Sequence, residues 1–217
     1  IVVTSTNRYD DILFDKLNKI GVDCFRGEET NVYKRFLDAL KNSEASVILR
    51  ITADCPLIDP VLVDKIIRDF LSKDVDYVSN VDPPSFPDGM DVEVIDRNCL
   101  ENNYSSNLNK YHLEHVTSYI RENKKFSKSN FANEKDYSYI RLTLDEEIDL
   151  EVINSIFKYF QPDIYFSLEE IIDLYKKNKS LFKNIDLIRN EGSKMNNGQK
   201  LWKKAKKIIP GGNMLLS

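Results

Sequence analysis

Two aspartates directly follow predicted strands and could together bind a divalent cation. Asp54 comes after the apolar run at 45–51, and Asp145 comes after the alternating segment at 137–144. In an open parallel sheet, ligands bind beyond the carboxyl ends of the strands, so the two carboxylates could meet there. Mg²⁺ is normally held by one or two carboxylates together with substrate phosphates. The pair would suit a transfer in which a sugar oxygen attacks an α-phosphorus and pyrophosphate leaves.

Local structure offers a simpler interpretation of each aspartate. Asp54 stands before Cys55-Pro56, which suits a turn, and Asp145 stands before two glutamates, which suits a helix N-cap. From spacing alone, both interpretations of each residue stay open. Cys55 has no base near it in sequence, and a small buried thiol is the more frequent role, so we do not assign it as a nucleophile.

Two histidines lie three residues apart in a predicted helix at 109–122. His112 and His115 have a spacing that can bind a metal, but no cysteine lies near them and the chain has 2 histidines in all. A hydrogen bond from a ring to phosphate or sugar suits this helix as well as packing within the core does. The role of the two histidines is therefore left open.

The dipeptide Asp88-Gly89 precedes a predicted strand at 90–95. Glycine is useful where a ligand must approach the backbone closely, but Asp-Gly is also common in plain hairpin turns. Its residue types alone favour the hairpin turn.

The elements that would position these residues follow an alternating pattern. Short β-branched runs alternate with segments whose apolar residues are three or four apart, which predicts an α/β fold with a mostly parallel sheet. The run at 45–51 is apolar almost throughout, as in a central strand buried on both faces. Ser167 and Glu170 have the spacing of a capping box. The predicted strands are 1–6, 24–27, 45–51, 77–80, 90–95 and 137–144, and the predicted helices are 10–20, 31–41, 61–71, 109–122, 146–160 and 168–178.

The composition is that of a soluble globular protein, with 217 residues, 41% hydrophobic and 30% charged. A net charge of -4 argues against nucleic acid as a partner. Three cysteines without metal-ligand spacing fit a reducing cytoplasm. No apolar run approaches the roughly 18 to 20 residues that span a bilayer. We therefore predict a cytoplasmic protein without a membrane segment.

Both ends of the sequence suggest neighbouring segments. Ile1 begins inside a predicted strand, so we interpret the chain as a piece of a longer protein. Glycine, serine and asparagine residues after about Asn190 predict a linker, and a short basic helix is predicted at 199–209. The predicted organisation is one domain over 1–188 and, over 189–217, a linker with the beginning of another domain.

Five segments, taken in order, resemble the spore-coat-polysaccharide cytidylyltransferases. These are relatives of the enzymes that make CMP-ketodeoxyoctonate and CMP-neuraminic acid. Each segment alone is a weak match, whereas the ordered set is specific. The segments are 1–6 (IVVTST), 50–60 (RITADCPLIDP), 86–94 (FPDGMDVEV), 114–117 (EHVT) and 141–145 (RLTLD).

The resemblance implies a three-layer, Rossmann-like nucleotide-diphosphosugar-transferase fold. In it, CTP and a sugar, with a sugar acid preferred, would give a CMP-sugar and pyrophosphate for surface polysaccharide biosynthesis. It implies Mg²⁺ between Asp54 and Asp145, Arg50 as a catalytic group near phosphate, and a homodimer contact at 90–95. The residues that it places beside the sugar or near phosphate and substrate are Asp88, Gly89, Asp91, Glu93, His115 and Arg141.

The sequence departs from the family pattern in two places. The family usually begins with a strand and a basic, serine-containing loop for the nucleotide phosphates, and nothing here corresponds to them. Leu113 stands where relatives often carry an arginine. These departures imply a sheet without its first strand, and they would leave the chain inactive as it stands.

The segment at 199–212 resembles the start of glutamate-1-semialdehyde aminomutase-like aminotransferases. This short match implies a pyridoxal-phosphate enzyme fused downstream, with pyridoxal phosphate bound only in that absent domain. Two alternatives to the cytidylyltransferase stay open. One is a metal-dependent glycosyltransferase that uses a nucleotide sugar as donor, and the other is a noncatalytic sugar-nucleotide-binding module for the aminotransferase.

Overall fold

The computed structural model describes residues 1–105, 107–187 and 189. Strands and helices alternate through most of this part of the chain, so the predicted α/β class is confirmed. The predicted linker and basic helix after 189 lie outside the described residues. The elements are β1 (Val2–Ser5), α1 (Asp11–Lys19), β2 (Cys24–Gly27), α2 (Val32–Leu40), β3 (Val47–Arg50), α3 (Pro60–Leu71), β4 (Tyr77–Ser79), β5 (Glu93–Asp96), α4 (Arg97–Asn102), α5 (Lys110–Glu114), α6 (Ser118–Glu122), β6 (Lys128–Asn130), α7 (Glu147–Phe160) and α8 (Leu168–Lys177).

One compact unit combines residues 1–48 with 95–126. Strands β1 and β2 pair in parallel over their whole lengths, and α2 packs against both. Tyr33 in α2 is fully buried and donates its hydroxyl to the carbonyl of Leu100 in α4, at 2.6 Å. This bond ties α2 to a helix that the sequence patterns did not predict.

The second unit combines residues 49–94 with 127–189, and its boundary falls inside β3 and β5. The four-stranded sheet has the order β3-β5-β4-β6, with β4 and β6 parallel. Strand β3 stands at one end of this order, and Leu49 is 38% exposed. The prediction of a central strand at 45–51 is therefore wrong, because a later segment, β5, pairs between β3 and β4.

The side chain of Asn80 connects the end of β4 to the segment before β5. Its Nδ2 donates to the Met90 carbonyl at 2.6 Å, and its Oδ1 accepts from the Val92 N–H at 2.9 Å. The buried amide thus extends the pairing of the strands beyond their last backbone bonds. Met90, Val92 and Val94 are fully buried within the chain, so their side chains cannot form the dimer contact expected there. The homodimer itself stays a prediction.

The predicted strand at 137–144 forms only an isolated parallel bridge between Asp88 and Arg141. The backbone turns just before this bridge, where the Ile140 N–H donates to the Tyr137 carbonyl at 2.9 Å. The alternation of apolar residues correctly indicated burial, since Ile140 and Leu142 are fully buried. It did not indicate a ladder of backbone hydrogen bonds.

Backbone geometry also changes two predicted helices. The helix expected at 109–122 is divided into α5 and α6, because Val116 has a φ of 44°. The N-cap of α7 is Glu146 rather than Asp145, with Asp149 completing a capping box. The capping box of Ser167 with Glu170 at the start of α8 is confirmed. No helix within the described ranges is both long and apolar enough to cross a membrane.

Asp59 caps the first turns of two helices. Its Oδ1 accepts from the Val61 N–H at 2.7 Å, and its Oδ2 accepts from the Leu168 N–H at 2.9 Å. Each cap is worth roughly 1 kcal/mol, so we expect Asp59→Ala to lower the free energy of unfolding by about 2 kcal/mol. Asp59→Asn should lose about half as much, because its amide keeps one acceptor.

Urea denaturation measures both changes. The control is Asp64→Ala, which removes an exposed carboxylate from the same helix and should change stability by less than about 0.5 kcal/mol. Equal losses for Asp59→Ala and Asp59→Asn would contradict the double cap.

Candidate active site

Backbone bonds join the segments that carry Asp54 and Asp145. The carbonyl of Asp54 accepts from the Leu144 N–H at 2.9 Å and from the Thr143 hydroxyl at 3.2 Å. Asp145 is the next residue after Leu144. The side chains of Asp54 and Asp145 therefore start from neighbouring positions of the backbone. The structure brings the two aspartates together although 137–144 is not a strand.

The two carboxylates also interact electrostatically. Burial raises the pKa of Asp145 to about 6, and the neighbouring Asp54 carboxylate contributes to this rise. Like charges in a partly buried site disfavour each other, and a bound cation removes that repulsion. Carboxylate oxygens are ligands that Mg²⁺ prefers, so the two aspartates fit this ion. In the described ranges no group of three or more His, Cys, Asp or Glu side chains could hold a metal. An Mg²⁺ ion held by two carboxylates normally takes water and substrate phosphate as its other ligands.

Arg141 lies at the centre of a buried cluster of charges. Its side chain is 5% exposed, and its Nε and Nη2 donate to the two oxygens of Asp149 at 2.9 and 2.8 Å. Its Nη1 donates to Asp88 at 3.2 Å, and its Nη2 also reaches Asp145 at 3.3 Å. Arg141 thus contacts three carboxylates of its own chain. Its expected contact with phosphate or substrate stays a prediction.

Asp149 fixes the backbone that follows the candidate metal pair. Its Oδ2 accepts from the N–H groups of Asp145 and Glu146 at 3.0 and 2.9 Å, and Asn184 donates to its Oδ1 at 2.7 Å. Burial opposes ionisation, but the bonds from Arg141 and Asn184 hold the pKa of Asp149 below its usual value. The orientation of Asp145 is therefore set by an ionised and fully buried neighbour.

The Asp88-Gly89 pair packs directly against the chain around Arg141. The Asp88 N–H donates to the Ile140 carbonyl at 2.9 Å, and the Leu142 N–H donates to the Asp88 carbonyl at 2.7 Å. Gly89 has a φ of 96°, and a Cβ there would lie 2.5 Å from the Thr143 nitrogen. Glycine is required here because two backbone segments of the protein approach each other closely.

Arg189 reaches the same acidic segment from beyond α8. Its Nη2 donates to Asp91 at 2.6 Å, and its Nε lies 3.5 Å from Asp88. Burial raises the pKa of Asp88 to about 7, although Arg189 and Arg141 both lower it. The sequence patterns missed Arg189, because it falls in a stretch interpreted as linker and carries no spacing signal of its own.

Arg50 and Glu93 form an ion pair within the second unit. Tyr77 in β4 donates its hydroxyl to the other oxygen of Glu93 at 2.5 Å. Arg50 and Glu93 are both largely buried, so each neutralises the charge of the other in the folded chain. The catalytic role expected of Arg50 and the sugar contact expected of Glu93 stay predictions.

Cys55 is buried beside Asp54. Its sulfur lies 3.5 Å from the Thr52 hydroxyl and 3.6 Å from the Asp54 carboxylate. Burial raises the pKa of the thiol, and the Asp54 charge raises it further, so the reactive thiolate is disfavoured. These surroundings agree with the decision not to assign Cys55 as a nucleophile.

The two histidines belong to the unit formed by 1–48 and 95–126, whereas the aspartates described above belong to the other. His112 is 3.1 Å from Glu122 through its Nε2. His115 follows the end of α5, and its ring lies 4.5 Å from that of Tyr111. Its expected contact with phosphate or substrate stays a prediction.

Comparison with protein families decides the class of the protein. The family model described as cytidylyltransferase matches residues 1–190. The chain belongs to the cytidylyltransferase family. This family makes it a nucleotidyltransferase that acts on CTP and a sugar, which favours this activity over that of a glycosyltransferase.

Individual relatives are similar to the chain over most of its length. An uncharacterized protein of Methanocaldococcus jannaschii is 35% identical over 189 residues, which cover 86% of this chain and 76% of that protein. The spore coat polysaccharide biosynthesis protein SpsF of Bacillus subtilis is 32% identical over 184 residues, covering 82% and 75%. The solved structure of a cytidylyltransferase from Leptospira borgpetersenii serovar Hardjo-bovis has a TM-score of 0.80 at 34% identity, covering 84% of this chain and 77% of that one.

Some expectations for this cytidylyltransferase lie beyond these observations. The aminotransferase-like segment at 199–212 is outside both the matched and the described residues. The fusion, its pyridoxal phosphate and the cytoplasmic location therefore stay predictions.

Proposed function

We propose that this cytidylyltransferase transfers CMP from CTP to a sugar acid, with release of pyrophosphate, for surface polysaccharide biosynthesis. The observation that carries the proposal is the junction of Asp54 with Asp145 in a chain of this family. Similarity to a spore coat polysaccharide biosynthesis protein supports the pathway. The preference for a sugar acid rests on the resemblance to enzymes that activate such sugars.

In this proposal Asp54 and Asp145 hold one Mg²⁺ ion. When bound, the ion would neutralise charge on the triphosphate. The chain itself fixes the backbone that carries both carboxylates, because Leu144 and Thr143 donate to the Asp54 carbonyl and the Asp145 N–H donates to Asp149. Such preorganisation lowers the reorganisation needed during the reaction.

The sugar would lie beside Asp91. The Asp91 side chain is 35% exposed, against 9% for Asp88, so Asp91 is the better placed of the two to meet a ligand. Its carboxylate would accept a hydrogen bond from a sugar hydroxyl. Asp88 is occupied by Arg141 and contributes to the position of the segment instead.

The test is pyrophosphate release by the full-length protein from CTP and Mg²⁺ with a panel of sugar acids, each paired with the neutral sugar that lacks the carboxylate. We expect release with at least one acid and at least tenfold less with its neutral partner, the fold-change that corresponds to about 1.4 kcal/mol. A glycosyltransferase would instead release a nucleotide from a nucleotide sugar. A folded protein that binds CTP but releases no pyrophosphate with any sugar would favour the noncatalytic module.

A further inference from the structure

An alternating chain of charges connects Asp91 to the candidate metal pair. Asp91 bonds to Arg189 at 2.6 Å, and Arg189 lies 3.5 Å from Asp88. Asp88 then bonds to Arg141 at 3.2 Å, and Arg141 bonds to Asp145 at 3.3 Å. Acidic and basic groups alternate along all four contacts, so each carboxylate is held by an arginine.

Two carboxylates, those of Asp91 and Asp88, determine where the Arg189 guanidinium lies. Its Nη2 and Nε face Asp91 and Asp88, whereas its buried Nη1 has no hydrogen-bond partner in the part of the chain that the structure describes. A buried donor without a partner costs roughly 1–3 kcal/mol. The attraction to Asp88 and Asp91 must outweigh this cost, so these contacts account for where the guanidinium lies.

Asp91 is close enough to the metal pair to change it. The Asp88 carbonyl, three residues before Asp91, accepts from the Leu142 N–H at 2.7 Å, and the next residue, Thr143, donates its hydroxyl to the Asp54 carbonyl at 3.2 Å. The Asp91 and Asp54 carboxylates also interact electrostatically. A third carboxylate on the ion would bind it more tightly, because affinity rises with the number of charged ligands. It would also occupy a position that a phosphate or sugar oxygen needs.

We propose that Arg189 is a positioning residue that holds Asp91 away from the metal pair. This inference rests on the proposed role of Asp54 and Asp145 as metal ligands. While it is bound to Arg189, the Asp91 carboxylate stays available to the sugar and does not reach the cation held by Asp54 and Asp145. The ion therefore keeps two protein carboxylates and the remaining positions for substrate.

The test uses Mn²⁺ as a paramagnetic substitute, with its dissociation constant and its number of bound waters measured on the purified protein without nucleotide. For Arg189→Gln, we expect Mn²⁺ to bind about tenfold more tightly, as for one added charged ligand, and to lose one bound water. Arg189→Lys keeps the charge and should stay within about twofold of the wild type. An unchanged constant in a folded Arg189→Gln variant would overturn the proposal.

A double variant distinguishes metal ligation by Asp91 from the electrostatic effect of removing the Arg189 charge. Removing a positive charge near any cation tightens binding, but this effect does not need the Asp91 carboxylate. In Asp91→Asn/Arg189→Gln, the tenfold gain and the loss of water should both disappear. If the gain persists there, Asp91 is not the ligand and the proposal fails.

Two further outcomes keep the test decisive. If Arg189→Gln does not fold, Asp91→Asn alone should leave the number of Mn²⁺-bound waters unchanged, and one additional water would show that Asp91 already ligates the ion. If Asp54→Ala binds Mn²⁺ as tightly as the wild type does, the metal pair of the proposed function is overturned instead.

Discussion

Replacing Asp145 with asparagine should lower kcat for CMP-sugar formation by about 10²- to 10³-fold. Asparagine keeps the size of the side chain and an acceptor for Arg141, but it removes the charge that would hold the cation. Asp54→Asn should have a similar effect, since both carboxylates leave the same backbone junction. Pyrophosphate release at saturating CTP, followed over a range of Mg²⁺ concentrations, measures both variants.

The matched control is Glu147→Gln, which removes the same charge from an exposed position two residues later. Its turnover should equal that of the wild type, and more than a tenth of the wild-type rate in Asp145→Asn would contradict the assignment.

The pH dependence of the Mg²⁺ requirement adds an independent check. Because the pKa of Asp145 is raised to about 6, its carboxylate becomes protonated as the pH falls through 6, and the Mg²⁺ requirement should rise.

Replacing Arg141 with methionine should lower the free energy of unfolding by about 3–5 kcal/mol, as when one partner of a buried ion pair is removed. The variant leaves Asp149 buried without a guanidinium partner and leaves Asp88 with only its longer contact to Arg189, at 3.5 Å. Urea denaturation measures the loss. The control is Arg68→Met, whose exposed pair with Asp64 should contribute less than about 1 kcal/mol.

The origin of this loss can be recognised by its pH dependence. Without Arg141, burial should raise the folded-state pKa of Asp149 above its unfolded value and raise the already elevated pKa of Asp88 further, so stability is lost as the pH rises through them. The deficit of Arg141→Met should therefore be smaller at pH 5 than at pH 8. Normal stability together with lost turnover would contradict this account and would instead support the contact with substrate expected from the sequence.

Local chemistry made several elements predictable from the sequence. Strand β2 was predicted with its observed bounds at Cys24–Gly27, and the Ser167–Glu170 capping box is present. The position of β3 could not be obtained in this way. An apolar run indicates burial, but the partner of a strand depends on segments far along the chain, and β5 lies between β3 and β4.

The candidate site was predictable to a similar extent. Residues that follow apolar segments indicated Asp54 and Asp145, which the structure brings together. Asp149 and Arg189 were not assigned to the site, because their positions depend on contacts that periodicity does not record. The bond from Arg189 to Asp91 joins residues 98 positions apart. No local pattern in the sequence could indicate such a pair.

If Asp54 and Asp145 hold Mg²⁺ as proposed, their junction at the Asp54 carbonyl would also couple the stability of the fold to cation concentration. Two like charges are brought together when the chain folds, whereas in the unfolded chain they are separated by 90 residues and bind a cation only weakly. A ligand that binds only the folded state stabilises it by about 2.7 kcal/mol at a hundred times its dissociation constant. Cellular Mg²⁺ would then act as a thermodynamic component of folding, and a chelator would lower the unfolding temperature.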